Sequence, residues 1–552
     1  MSVNSSSAPS DSSLRIPVDV RRFSWVRRLA ADYAYNFSAV APFFAGDPAS
    51  RDDWAAAVAR RQGQPLDHKA IAAVIAAQQR RRGAPAPALE SGRRLADART
   101  VAVVTGQQAG LFGGPMFTLL KALTALKVAD QISREHDVPA VAIFWIEAED
   151  HDWEEVRSCT VLDDQLEPRA VGLPARASTD PRPVARITLD ETIAGVIDEL
   201  ARILPATEFT APLMDELRRA YAPGVAMSDA FGRWIESVLG NRGLIVYDAS
   251  DPAAKPLVAG VFGRELSEPG QTTRLAASAG SELVARGYHT QVNAQDDTLA
   301  LFHLNSARRA IRRQGDGFAI GDATYAAATL LEQARDQPAA FSPGVLLRPI
   351  VQDTLFPTVA YVAGPNELAY LGQLRPVYER FGVPMPLMYL RATATILDSA
   401  SLRFITKYQL PFEALQAQDD AALNGLLQAQ IPAAVEESFA RAAAAIESHM
   451  TAVVRAVPAI DPTLEGAAQS TLGRMQRDLD SLHGKLIQAA KRRDDTLRRQ
   501  FVHARARAFP RGHAQERTIG FVSFLNQYGP ALVDRLSEHL PLDIGHHWVL
   551  AI

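Results

Sequence analysis

Cysteine is almost missing from this 552-residue chain, where Cys159 stands alone. A single thiol excludes an internal disulfide and argues for a reducing interior. Long apolar runs are missing as well, and no stretch approaches the roughly 20 residues of a membrane-spanning helix. The N-terminal MSVNSSSAPSDSS has no apolar signal-peptide core. Polar and low in complexity, residues 1–18 are expected to be disordered, and the protein is expected in the cytoplasm. Charge of one sign is not in excess: 58 Lys and Arg face 62 Asp and Glu, for a formal net charge of −4. That balance gives no general pull toward nucleic acid or an anionic membrane. The glycine-rich turn near residue 110 has neither the Walker pattern with its lysine nor the dinucleotide spacing, which excludes both motifs there.

What is present is an ordinary globular composition, 47% hydrophobic and 22% charged, in a chain long enough for more than one domain. Its organising stretch is 101–156. Val101, Ala102, Val103 and Val104 read as a strand buried on both faces of a parallel sheet. Gly106, Gly110, Gly113 and Gly114 then allow a tight turn and close approach to a ligand. Pro115 suits a first helical turn. Leu119, Leu120, Leu123, Leu126 and Val128 form one helical stripe, and 141–146 is a second buried strand. In such a βαβ unit both special loops, TGQQAGLFGGP and EAEDHD, fall outside the carboxyl ends of the strands, where ligands bind in open α/β sheets. A helix N-terminus behind a glycine turn favours an anion, and Thr105, Gln107 and Gln108 add polar groups. In the second loop, Glu147, Glu149, Asp150, His151 and Asp152 crowd together, so some pKa values should rise, and His151 is a candidate base or proton shuttle. Nothing fixes a metal-ligand geometry, and no metal is predicted.

Residues 20–100 read as helical. Within them, 67–82 ends in Arg80, Arg81 and Arg82, which complement a helix dipole and face water rather than nucleic acid. A first insertion, about 157–240, starts strand-rich, with Cys159 as a small buried residue. It continues in helices at about 190–204, 210–221 and 228–240, the last capped by Ser228. GLIVYD at 243–248 is a third buried strand, after which Asp248 and Asp251 either reach the ligand edge or cap the next helix. A second insertion, about 262–340, mixes helix with short alternating strands and carries Arg308, Arg309, Arg312 and Arg313. In VLLRPIVQD, Arg348 interrupts an apolar run and needs a partner, structural or substrate. TVAYVAG, GPNE and LAYLGQLRPVYERF then repeat the strand–turn–helix grammar, and 386–391 adds a strand. Tyr361, Asn366, Glu367, Tyr370 and Arg391 become site candidates by position, although a residue placed like Tyr370, one turn into a helix, is more often core than ligand contact.

Beyond about 415 the strands stop. Ile431, Val435, Phe439, Ala442, Ile446, Met450 and Val453, then Leu472, Met475, Leu479, Leu482, Leu486 and Ala489, recur at three- and four-residue steps. They predict an antiparallel helical hairpin with an apolar seam at 416–510, closed within the chain or by a second subunit. Residues 511–552 are too apolar for a free tail and should pack back on the core.

TGQQAGLFGGPMFTLLKALTALK with FWIEAEDHDWEEV, SPGVLLRPIVQDTLFPTVAYVAGPNELAYLGQLRPVYERFGVPMPLMYLR and QERTIGFVSFLNQYGPALVDRL resemble, in order, the cysteine-adding enzymes of bacillithiol biosynthesis, the BshC family. The resemblance spans nearly the whole chain. It implies an α/β fold: a Rossmann-like parallel-sheet core at 19–415 with the two connecting insertions, plus the α-helical antiparallel coiled-coil domain. It also implies a homodimer joined by the coil and a ligase that joins the carboxyl group of L-cysteine to the amine of glucosaminyl-malate. A nucleotide, ATP or ADP, is the candidate cofactor. No nucleic acid or membrane partner is implied.

An amide made from a carboxylate needs an activated acid, a base for the amine and donors for the oxyanion. On this reading Thr105, Gln107, Gln108, Gly110, Gly113 and Gly114 cradle an anionic group. His151, with Glu147, Asp150 or Asp152, handles the proton, and Arg348 and Arg391 steady carboxylates. HIGH and KMSKS, the signatures of cysteine-activating enzymes related to tRNA synthetases, do not occur, so the route of activation and the use of ATP stay open. Two other readings share these features: a nucleotide-sugar glycosyltransferase and a non-catalytic, nucleotide-binding dimeric scaffold.

Overall fold

A computed structural model describes residues 15–176, 182–292, 297–305, 307–429, 432–493 and 495–552. The chain forms two compact units, 1–396 with 515–552, and 397–514.

The first unit is built on a five-stranded parallel sheet: β1 (Val101–Gln108), β2 (Ala140–Glu147), β3 (Ile245–Asp248), β4 (Thr358–Ala363) and β5 (Leu387–Leu390). Its order is β5-β4-β1-β2-β3. Side chains alternate across the sheet, so Val101, Val103, Phe144 and Ile146 enter one core and Ala102, Val104, Ile143 and Trp145 the other. A strand that is covered on both faces must be apolar throughout, which is why these runs do not alternate. Helix α1 (Met116–His136) leads from β1 to β2 and buries Leu119, Leu120 and Leu123 against the first core.

β1 runs on through Gln108, so Gly106 is a strand residue rather than part of the turn. Its lack of a side chain is still needed: a Cβ there would lie 3.1 Å from the Trp145 carbonyl oxygen. The expected helix after β4 is two short ones, Leu368–Leu371 and Arg375–Phe381, because Pro376 cannot donate inside a continuous helix. Ser228 does not cap its helix, which starts at Met227 after Ala226, and Ser228 is buried instead. The first insertion contains the hairpin Ser158–Leu162/Pro168–Gly172. The second contributes an antiparallel sheet from strands within 298–343.

The two chain ends meet. Arg15–Asp19 pairs antiparallel with His546–Ala551, which neighbours Thr393–Leu397. Residues 15–18 are therefore strand, not disordered tail; residues 1–14 lie outside the described residues. In the same C-terminal segment Ile519 accepts from Met116 N.

The second unit begins before residue 416. Asp398 caps Ser399–Lys407 through Ser401 N at 2.7 Å and meets His503 Nε2 at 2.7 Å and Arg507 Nε at 2.8 Å. Burial opposes its charge, but these donors hold the carboxyl well below the usual range. Helices α2 (Ala433–Ala456) and α3 (Leu464–Arg493) pack antiparallel, with His483 3.0 Å from Glu436 and its ring on Phe439. No residue of α2 is fully buried. Ile431, the first expected seam residue, lies outside the described residues.

Candidate active site

The strand order reverses between β1 and β4, and in open α/β sheets the ligand crevice lies at that switch, beyond the carboxyl ends of the strands. A buried polar network occupies it. Lys121, from the apolar stripe of α1, donates to Gly106 O at 2.7 Å and pairs with Glu367 at 2.6 Å. Glu367 also accepts from Gly364 N at 2.6 Å, Tyr361 at 3.0 Å and Tyr370 at 3.4 Å. Burial opposes the Glu367 carboxylate, yet Lys121, Gly364 and Tyr361 keep its pKa below the ordinary value. Lys121 was missed in the sequence, where its signal is a lysine set among Leu119, Leu120 and Leu123.

Arg348 opens the helix Arg348–Leu355, donates to Gln352 Oε1 at 3.0 Å and lies on the Trp145 and Tyr361 rings. Burial works against this cation, but Tyr361, Tyr370 and Glu147 more than offset it and it stays charged. Glu147, at the end of β2, accepts from Trp145 Nε1 at 3.2 Å, and burial pushes its pKa up against the pull of Arg348.

The members of the acid loop have different partners, although Glu149 still adds to the rise at Glu147. Glu149 is buried and takes Lys255 Nζ at 2.5 Å. Asp152 caps the turn Trp153–Val156 through Glu155 N at 3.1 Å. Asp150 accepts from His151 N at 2.8 Å and from Arg308 Nη1 at 3.3 Å, and lies 3.2 Å from His151 Nδ1. Arg308 is itself stacked on Phe302 and donates to Pro343 O. His151 Nε2 has no partner among the described residues, and the side chain is 48% exposed.

Gln107, Gln108, Gly110 and Gly114 line a cavity of about 310 Å³ together with Phe117, Thr118, Glu155 and Arg517. That volume lies at the lower end of the ~300–1,000 Å³ usual for small-molecule sites. Burial and Asp152 raise the Glu155 pKa. Cys159 lines the same cavity, but burial pushes its thiol up to about 12, which leaves it protonated and unreactive at neutral pH.

Three sequence candidates have structural work instead of an open face. Thr105 is fully buried and donates to Val362 O at 2.9 Å, tying β1 to β4. Gly113 has φ +93°, and a Cβ there would strike the Phe521 ring, so its bareness serves packing of the C-terminal segment. Arg391 already has its carboxylate: Glu516 takes both Nη atoms at 3.0 and 2.7 Å. With Asn366, Arg391 lines a smaller cavity of about 80 Å³ beside β4 and β5. Asp248 turns to Ser250, and Asp251 caps through Ala253 N. Among the described residues no three His, Cys, Asp or Glu side chains converge as a metal site, and no helix is long and apolar enough to cross a membrane.

The comparisons with known proteins follow this architecture. A family model described as bacillithiol biosynthesis BshC, N-terminal Rossmann-like domain, matches residues 16–392, and one described as the C-terminal coiled-coil domain of BshC matches 394–552. A protein of Salinibacter ruber named "Putative cysteine ligase BshC" is 33% identical over 535 residues, 95% of this chain and 96% of its own. Proteins of the same name from Koribacter versatilis and Symbiobacterium thermophilum are 32% and 31% identical, each over 93% of this chain and 95% and 96% of their own lengths. Two domain matches that together run from residue 16 to 552 place the chain in the BshC family of bacillithiol biosynthesis.

Proposed function

We infer that this protein is a cysteine ligase that joins the carboxyl group of L-cysteine to the amine of glucosaminyl-malate. The observation that carries this reading is the family match through both domains, with relatives named as cysteine ligases along nearly their full length. The site chemistry supports it. The amine must lose a proton to attack, and His151 is a half-exposed imidazole whose Nδ1 lies 3.2 Å from Asp150, which Arg308 also contacts. At the switch point Arg348 is a buried cation, a group that can steady a developing negative charge.

We propose ATP as the source of activation; when bound, it turns the cysteine carboxylate into an acyl donor. We also propose that the protein works in the cytoplasm as a homodimer joined through the helical hairpin, whose Val453, Met475 and Leu482 stay exposed within one chain. Mass spectrometry of the purified chain with cysteine and glucosaminyl-malate tests this. A bacillithiol mass that needs ATP and falls by about 10²- to 10⁴-fold in His151→Ala is expected. No product from folded protein in either tube refutes the ligase. Product without ATP refutes the activation step, and His151→Ala within a few-fold of the parent removes the base.

A further inference from the structure

The cavity behind the glycine turn is bipolar, and its cationic end is unspent. Arg391 and Arg517 both lie against the Phe117 ring, at 5.4 and 5.8 Å. Glu516 neutralises Arg391 through two hydrogen bonds. Arg517 has no hydrogen-bond or ion-pair partner among the described residues. Two nearby donors share this condition. Thr118 is 0% exposed, and its Oγ1 finds no partner. At the N-terminus of the 21-residue α1, Met116 N and Thr118 N donate to Ile519 O and Pro115 O, whereas Phe117 N–H has no acceptor. An unpaired buried hydroxyl is costly unless something fills its bonds. A guanidinium, a free helix N–H and a hydroxyl together are the chemistry of a carboxylate or phosphate receptor. Glu155 lines the same cavity and suits a cation.

We propose that this cavity is the receptor for a ligand bearing both a carboxylate and an amine. Arg517, Thr118 and the α1 N-terminus take the carboxylate, and Glu155 takes the ammonium. The inference rests on the ligase reading, which offers two such ligands, L-cysteine and glucosaminyl-malate. A nucleotide fits the cavity less well, since its phosphates would share it with the Glu155 carboxylate.

Calorimetric titration of the full-length chain separates these outcomes. The probes are L-cysteine, glucosaminyl-malate, ADP, and the carboxylate-free analogues cysteine methyl ester and methyl glucosaminide. Arg517→Gln should weaken one of the two amino-carboxylate ligands by about tenfold, as for loss of a charge-assisted hydrogen bond, and leave its carboxylate-free analogue unchanged. The ligand that responds identifies the occupant. Thr118→Val keeps the shape and removes a hydroxyl that has no protein partner. It should leave the melting temperature at or above the parent's while weakening the same ligand by about threefold. A merely structural Thr118 would not divide stability from affinity in this way. Arg517→Lys serves if the glutamine variant fails to fold. The proposal is overturned if both variants bind both amino-carboxylates within twofold of the parent, if only ADP binding is lost, or if the parent binds neither. Product formation by Arg517→Gln at the parent's rate and affinity would sink this receptor and leave the ligase intact. Absence of product from the parent would sink the ligase reading first.

Discussion

Phe144 and Leu482 are both large apolar residues in regular elements, yet Phe144 is wholly buried and Leu482 is 55% exposed. The contrast extends to their surroundings. The parallel sheet is sealed by a core on each face, and even its charged groups are enclosed and matched: Lys255 with Glu149, Arg82 with Glu236, Arg391 with Glu516. In the hairpin, α2 has no fully buried residue, Val453, Met475 and Leu482 are exposed, and Ile460 at the turn is 85% exposed. Stability in the first unit comes from burial that the single chain completes. The second unit buries Leu402, Phe412, Leu415, Leu497 and Phe501 in the same way, but its α2–α3 hairpin rests on helix propensity and on contacts across one seam. The first unit should therefore respond sharply to single changes, and the α2–α3 hairpin weakly until something covers it.

Lys255→Met should give the largest effect. It leaves Glu149 charged and enclosed without a partner, and breaking a buried pair in this way costs about 3–5 kcal/mol. Denaturant unfolding followed by tryptophan fluorescence should show the loss in the α/β unit, while hairpin helicity by circular dichroism stays near the parent's. A shift below about 1 kcal/mol would mean that the pair is solvated and the sealed-core account is wrong.

Much of this contrast can be read from the residues alone, and the gaps have physical causes. Runs such as Val101–Val104 and GLIVYD declare strands that are covered on both faces, and the three- and four-residue apolar steps after 431 declare the hairpin. The sheet-edge positions of Gln107, Glu147 and Asn366 follow from strand direction. What local pattern cannot show is which partner a polar group finds. Arg391 meets Glu516, 125 residues away, and Thr105 meets Val362, 257 residues away. Gly113 is bare for the sake of Phe521, a contact that also spans the chain. Lys121 escaped notice because a charge inside an apolar stripe becomes interpretable only once Glu367 is seen opposite it. The EAEDHD loop looks like one acidic cluster in sequence, but distant cations divide it: Lys255 takes Glu149 and Arg308 takes Asp150.

The two units should also separate on titration. His547 is enclosed against Thr395 Oγ1 at 2.9 Å, and burial lowers its pKa from 6.5 to about 4. A histidine kept neutral in the fold binds its proton more readily when unfolded, so folding weakens as pH falls. The α/β unit should lose up to roughly 3 kcal/mol between pH 6.5 and 4. The Asp398 carboxyl of the hairpin unit is depressed, so its contribution persists through that window and is lost only as pH drops below the ordinary value of 3.8. Equilibrium unfolding across this range should show the slope for the parent and a reduced slope for His547→Gln. Equal slopes would remove His547 as its source.

The smallest effect on a single chain, and the one that tests the exposed part of the seam most directly, is Leu482→Ser. At 55% exposure this side chain has little burial to lose within its own hairpin, so the dilute monomer should change by no more than about 0.5 kcal/mol. If a second copy covers the seam, the same substitution removes apolar area from an interface and the cost appears as weaker association. Sedimentation velocity over a hundredfold range of concentration distinguishes the two. The parent should move as a dimer down to lower concentration than Leu482→Ser, while their dilute melting curves coincide. A variant that melts several degrees lower at every concentration, with the parent's sedimentation, would place Leu482 in a core completed by its own chain. The contrast between the two units would then be one of degree alone.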